Sequence, residues 1–217
     1  MKTVLLIGDS IRQGYEQPVR EALAGVADVL APQENCRFAQ YVLRNLHEWK
    51  GSANVPDDTD VVHWNAGLWD TLILYEEEPL TPLKVYAEFI ERICCRIRLL
   101  FPQAKMIFAT STPVLEHRFP DPDTCFRKNS DIRRYNAAAA EIVLRHGGMI
   151  NDLYGALESV PESFYTDMTH PYTEEGIRLL SDKVLRSVLE ALGEKYDPQR
   201  FFCSCPGGKS MEDTKGL

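Results

Sequence analysis

The sequence predicts an α/β fold, a three-layer α/β/α sandwich around a five-stranded parallel sheet. Short apolar runs of strand length alternate with longer stretches of helical composition along the chain. The intervening segments are long enough for right-handed crossovers between parallel strands. The 217 residues, 44% apolar and 26% charged, suffice for one substantial core.

Lys2 to Ile7 is the first apolar run, and it stops at Gly8-Asp9-Ser10. Residues 15–25 follow with helical composition and carry Pro18 near their start. A short strand over 27–31 leads to a helix over 37–49, for which Asn35 is the natural N-cap. Turn-forming Pro56-Asp57-Asp58-Thr59 announces a third strand over 60–65. A long helix is expected over 81–100, closed by Phe101-Pro102-Gln103, and a fourth strand over 105–110. An alanine-rich helix over 132–146 ends at Gly147-Gly148, a last strand spans 149–151, and a closing helix spans 174–192. Residues 1–196 read as a single domain. From Asp197 the composition turns to Phe-Phe-Cys-Ser-Cys-Pro-Gly-Gly-Lys and a polar end, read as a loosely held tail over 197–217.

Lys and Arg total 24 against 32 Asp and Glu, a net charge of −8, which argues against nucleic acid and anionic membranes as partners. The apolar run before Gly8 is too short for a signal-peptide core or a membrane span, so the expected location is cytoplasmic. The cysteines, Cys36, Cys94, Cys95, Cys125, Cys203 and Cys205, show no C-x-x-C spacing; reduced thiols are expected, and neither a metal nor a cofactor. No G-x-G-x-x-G loop follows the first strand, which speaks against a nucleotide or flavin protein.

Sheets of this kind hold ligands beyond the carboxyl ends of their strands, and four segments there carry suitable residues. Ser10 follows the first strand, where helix-start N–H groups favour developing negative charge, although a serine there also serves as a plain cap. In Asp167-Met168-Thr169-His170 an acid stands three residues before an imidazole, the arrangement that fixes a tautomer for proton abstraction. Asn65 and Gly67 offer oxyanion donors in Val61-Val62-His63-Trp64-Asn65-Ala66-Gly67-Leu68-Trp69-Asp70, and Trp64 and Trp69 suit a pocket wall. His63 alternates into the strand and reads as a core histidine. Asn35-Cys36-Arg37-Phe38 could add a backbone donor and, through Arg37, a clamp for an acidic group.

These four blocks, in this order over residues 1 to about 192, resemble the SGNH, or GDSL-type, hydrolases. The resemblance implies a flavodoxin-like sandwich with Ser10 as nucleophile, His170 as general base and acid, and Asp167 orienting it. It also implies an oxyanion hole from the amides of Ser10 and Cys36 together with Asn65 or Gly67. Three positions depart from the family pattern: Ile11 for leucine, Cys36 for glycine, and Trp69 where a donor asparagine is expected.

The expected function is a serine esterase acting on a small-acyl ester, such as an O-acetyl group on a carbohydrate. Asp9, Asn35, Arg37, Trp64, Trp69 and Tyr165 are the expected substrate contacts, with Tyr15 and Phe164 nearby. The alternatives are an inactive ligand-binding module of the same fold, suggested by Trp69, and an acyltransferase or lysophospholipase-type relative. The segment from His117 to Arg134, with Asn129, Asp131 and Arg133, reads equally as a lid or as a solvated crossover. A small-molecule ester is the expected partner, and the chain is read as monomer or homodimer.

Overall fold

The structure is a computed structural model that describes residues 1–75, 78–121 and 123–198. In chain order the elements are β1 (Lys2–Ile7), α1 (Ser10–Ala22), β2 (Ala27–Leu30), α2 (Ala39–Ser52), β3 (Val61–Trp64), β4 (Ile73–Leu74) and α3 (Leu83–Leu100). They continue as β5 (Lys105–Ala109), β6 (Cys125–Phe126), α4 (Asn129–Arg145), β7 (Met149–Asn151), α5 (Leu153–Leu157) and α6 (Glu174–Leu192).

Five strands form one parallel sheet in the order β2-β1-β3-β5-β7. Val4 stands opposite Val29 on one side and Val61 on the other, and Ile107 joins His63 to Met149. Strand order reverses at β1, which leaves a crevice between the carboxyl ends of β1 and β3.

Both faces of the sheet are buried, and side chains alternate between them with the period of two that a strand imposes. Leu5, Ile7, Val62, Trp64, Met106 and Phe108 pack with α2, α3 and much of α4. Val4, Leu6, Val61, Ile107 and Ala109 pack with α1, α5 and α6. Continuous apolar strands flanked by amphipathic helices therefore give the three expected layers.

Boundaries move where a cap comes from a residue the local pattern does not reveal. α1 begins at Ser10 rather than near 15, because Asp9 caps it by accepting the Ile11 N–H (3.0 Å). α2 begins at Ala39 rather than 37, and Asn35 is not its cap. The Asn35 side chain accepts the Arg37 N–H in a turn (2.8 Å), while the Ala39 N–H donates to both carboxylate oxygens of Asp70 (3.2 and 3.0 Å). α4 starts at Asn129, earlier than 132, whereas α6 keeps its expected bounds behind its Thr173 cap.

One helix and one strand pairing were not expected. α5 is a short helix capped by Asp152. The other is an antiparallel pairing of β4 with β6, Ile73 opposite Phe126 and Leu74 opposite Cys125. This pairing brings part of the 117–134 segment back over the loop that follows β3.

Cys36, Cys94, Cys95 and Cys125 are free thiols. No helix among the described residues is long and apolar enough to cross a membrane. Of the expected tail, residues 199–217, Cys203 and Cys205 included, lie outside the described residues.

Candidate active site

The site starts at the end of β1. Gly8 has no room for a side chain: a Cβ would lie 1.9 Å from Asn65 Oδ1 and 2.7 Å from Arg12 Cβ. Its carbonyl accepts the Cys36 N–H (3.0 Å) and faces the buried Arg12 guanidinium, which also donates to the Glu34 carbonyl (2.6 Å) and pairs with Glu16. One interior cation thus joins the loops after β1 and β2. Asp9 is fully buried. Burial pushes its carboxyl above the ordinary range, and the neighbouring Asn65 amide, the Ile11 N–H and the Arg127 charge offset part of that penalty.

Ser10 opens α1 and is half-buried, facing the loop before α6. There Asp167 Oδ1 accepts the backbone N–H groups of Thr169 (2.6 Å) and His170 (2.8 Å). Asp167 Oδ2 lies 2.7 Å from His170 Nδ1, and His170 Nε2 lies 2.9 Å from Ser10 Oγ. Burial raises the Asp167 carboxyl, but the hydrogen bonds from Thr169 N–H, the His170 ring and His170 N–H outweigh it and hold the group below the ordinary carboxylate range. A carboxylate at Nδ1 keeps the proton on that nitrogen and turns the Nε2 lone pair toward the serine hydroxyl.

Tyr172, which the sequence reading missed, completes this side. Its hydroxyl donates to the Ser10 carbonyl and its ring tilts against His170 (centroids 4.8 Å apart, planes at 38°). Burial pushes its phenol up to about 12. Gly14 makes the approach possible, since a Cβ there would lie 2.4 Å from Tyr172 Cε1. A glycine one turn into a helix is the signal that something packs closely against it.

Several expected contacts are corrected. Trp64 is fully buried against Phe108 (4.9 Å, planes at 67°), because its position in β3 turns it into the α2/α3 core. Tyr15 is fully buried edge-on to His63 (6.0 Å). Tyr165 is buried, its hydroxyl donating to the Pro113 carbonyl (3.1 Å), so it braces the loop after β5. Asp9 is a helix cap and Asn35 a turn residue, as described above. Arg37 lies exposed over the Tyr41 ring (5.1 Å) rather than toward Ser10. The Cys36 N–H is spent on the Gly8 carbonyl, so it ties two loops instead of facing an oxyanion. Asn65 is buried beneath Gly8 and beside Asp9, and Gly67 packs inward, its Cβ position 2.6 Å from Ser111 Oγ.

Trp69 and Phe164 are half-buried, and no described residue accepts from the Trp69 indole N–H. His63 is a core residue as expected: it meets Asn151 Nδ2 at 3.1 Å, and burial pulls its imidazole down to about 3. Asp70, which caps α2, is pushed up to about 6 by burial.

The other missed residue is Arg127, just after β6. It is half-buried, and its Nε donates to the Leu68 carbonyl (2.5 Å) in the loop after β3. Its guanidinium also feels the Asp9 charge, while burial lowers its pKa. Among the described residues the group Glu91, Cys95 and His146 has metal-ligating chemistry, but His146 Nε2 already meets Glu91 (2.6 Å) and Arg145 also pairs with that carboxylate (3.1 Å). It reads as an ion pair between α3 and α4.

No protein-family model and no curated protein matches the sequence. Solved structures do. A lipase/acylhydrolase from Enterococcus faecalis superposes with a TM-score of 0.70 at 20% identity, covering 91% of this chain and 100% of that one. A protein described as a GDSL-like lipase from Parabacteroides merdae gives 0.65 at 12% identity, over 89% and 96% of the two chains. The chain has the SGNH hydrolase fold. An acetylxylan esterase from Geobacillus stearothermophilus shares it, with a TM-score of 0.64 at 17% identity over 89% of this chain and 95% of that one. In this chain the carboxyl end of the first strand leads into Ser10, and the loop before the last helix carries His170.

Proposed function

We propose that the chain is a serine esterase that removes a small acyl group through an acyl-enzyme on Ser10. One observation carries this reading: Ser10 Oγ, His170 and Asp167 form a continuous hydrogen-bonded relay of 2.9 and 2.7 Å at the carboxyl end of the sheet. A serine hydroxyl is a weak nucleophile until a neutral imidazole takes its proton, and Nε2 is placed to do so. His170 then protonates the leaving alcohol and later activates the water that resolves the ester on Ser10. Asp167 stays ionised, its low pKa matched to stabilising the imidazolium formed in between.

The Ser10 N–H, at the start of α1, is the first oxyanion donor, where the helix dipole adds to it. The Trp69 indole N–H, half-buried and without an acceptor among the described residues, is the second. It replaces the amide that Asn65 turns toward Asp9. A small acyl group is favoured because Trp64, Tyr15 and Tyr165 belong to the packed interior rather than to the wall of an acyl-chain groove. The acetyl esters named for two structural neighbours are of this size.

The test is hydrolysis of p-nitrophenyl acetate, butyrate and octanoate by the wild type and by Ser10→Ala at neutral pH without added metal. Turnover falling with acyl length and abolished in the variant is expected. Turnover that survives in Ser10→Ala, or none on any ester, refutes the reading.

A further inference from the structure

Arg12 and Arg127 make an instructive pair. Both are interior guanidinium groups near the loop that carries Ser10. Arg12 is saturated: it meets the Gly8 and Glu34 carbonyls and the Glu16 carboxylate. Arg127 makes one hydrogen bond, from Nε to the Leu68 carbonyl, and forms no ion pair among the described residues. Among the described residues its two terminal nitrogens therefore have no acceptor, at a place where water is partly excluded.

Withdrawing a cation from water without a counter-charge is costly, and proteins normally pair it. Asp9 is near enough to attract Arg127, yet the two do not bond, and Asp9 Oδ2 also lacks a hydrogen-bond partner. The guanidinium is held open by its position. β6 pairs with β4 and fixes the backbone just before Arg127, while the Leu68 carbonyl fixes Nε. What remains is a planar two-nitrogen fork held beside the loop after β3 and within reach of the Asp9 charge, the geometry that binds a carboxylate bidentately.

We infer that Arg127 is the substrate's anion anchor, and that the ester this site accepts carries a carboxylate close to the scissile bond. This rests on the esterase reading above. A monoanionic carboxylate fits better than a phosphate dianion, because one arginine faces a site that already holds Asp9 and Asp167 in a chain of net charge −8. The same residue explains how a strongly acidic protein would still attract an acidic substrate: recognition is local, by one desolvated fork, rather than by the overall field.

The test compares matched esters that differ only in charge. 3-Acetoxybenzoate is set against phenyl acetate, which places the carboxylate on the alcohol side. Mono-4-nitrophenyl succinate is set against 4-nitrophenyl butyrate, which places it on the acyl side. In the wild type kcat/KM is expected to favour the charged member of at least one pair by about tenfold, the scale of a single charge-assisted contact, with the preference falling as salt is raised. Arg127→Gln brings the ratio to about one and Arg127→Lys restores part of it.

A wild-type ratio near one in both pairs overturns the inference. So does an Arg127→Gln variant that loses activity on both members equally and keeps the ratio, since that is the signature of a merely structural clamp on Leu68. Calorimetric binding of the same four esters to Ser10→Ala, with and without Arg127→Gln, separates the two proposals. Charge-selective, Arg127-dependent binding without any Ser10-dependent turnover in the wild type would sink the esterase reading and leave the anchor standing. Turnover without charge selectivity would do the reverse.

Discussion

Asp167→Asn tests the relay at its most sensitive joint, because one oxygen of Asp167 serves two backbone N–H groups and the other serves the imidazole. An asparagine has a single oxygen to offer. If that oxygen stays on the Thr169 and His170 N–H groups, the new NH₂ faces Nδ1, which must then accept. The ring proton moves to Nε2, and His170 can no longer take a proton from Ser10. If the amide turns over, the imidazole keeps its useful tautomer but two backbone N–H groups face an NH₂.

Each lost backbone bond costs about 1 kcal/mol, so the wrong tautomer wins by roughly 2–3 kcal/mol and only a few per cent or less of the molecules stay competent. The missing carboxylate charge opposite the imidazolium removes roughly a further 10²-fold, for a total loss of about 10³- to 10⁴-fold in kcat. The assay is kcat on p-nitrophenyl acetate beside a urea unfolding curve for the same preparation. A folded variant that retains more than about a tenth of wild-type kcat would refute the assignment of Asp167 as the orienting group.

Trp64→Ala should destabilise the fold by about 3–5 kcal/mol, with about 1 kcal/mol more from the lost Phe108 contact, while KM of the folded fraction stays as it was. A stable variant with a raised KM would return Trp64 to the pocket wall. Asp70 gives a pH-dependent stability whose sign follows from its raised pKa. The native state binds its proton up to about pH 6, whereas the unfolded chain releases it near 3.9. Its contribution to stability is therefore full below about pH 4 and lost as pH rises through 6, about 3 kcal/mol in all. Asp70→Asn should flatten that part of the urea-midpoint profile relative to wild type; identical slopes would contradict a buried, protonatable Asp70.

The sheet and its crossover helices could be read from the chain because the strands are mostly apolar runs and each long helix carries one apolar stripe. The Asp167–His170 pair was legible for a similar reason, its partners being three residues apart. Helix starts shifted where the cap was remote or ambiguous: Asp70 caps α2 from 31 residues away, and Asp9 rather than the adjacent serine caps α1. Trp64 misled because a large aromatic at a strand end suits both a pocket and a core, and the parity of β3 chose the core. Tyr172 and Arg127 stayed hidden because they act on residues 162 and 59 positions away, a relation no local spacing encodes.

The wide separation of the proposed nucleophile and its base has a consequence for how activity would be acquired. Ser10 and His170 are 160 residues apart, and they meet only when α6 and the loop before it dock beside α1. Until that docking occurs Ser10 is an ordinary alcohol, without the imidazole that would take its proton. Asp167 and His170, three residues apart, are paired within their own loop and reach Ser10 as a unit. On the proposed mechanism, hydrolytic competence is thus coupled to completion of the tertiary structure, and the appearance of turnover during refolding would time the docking of α6.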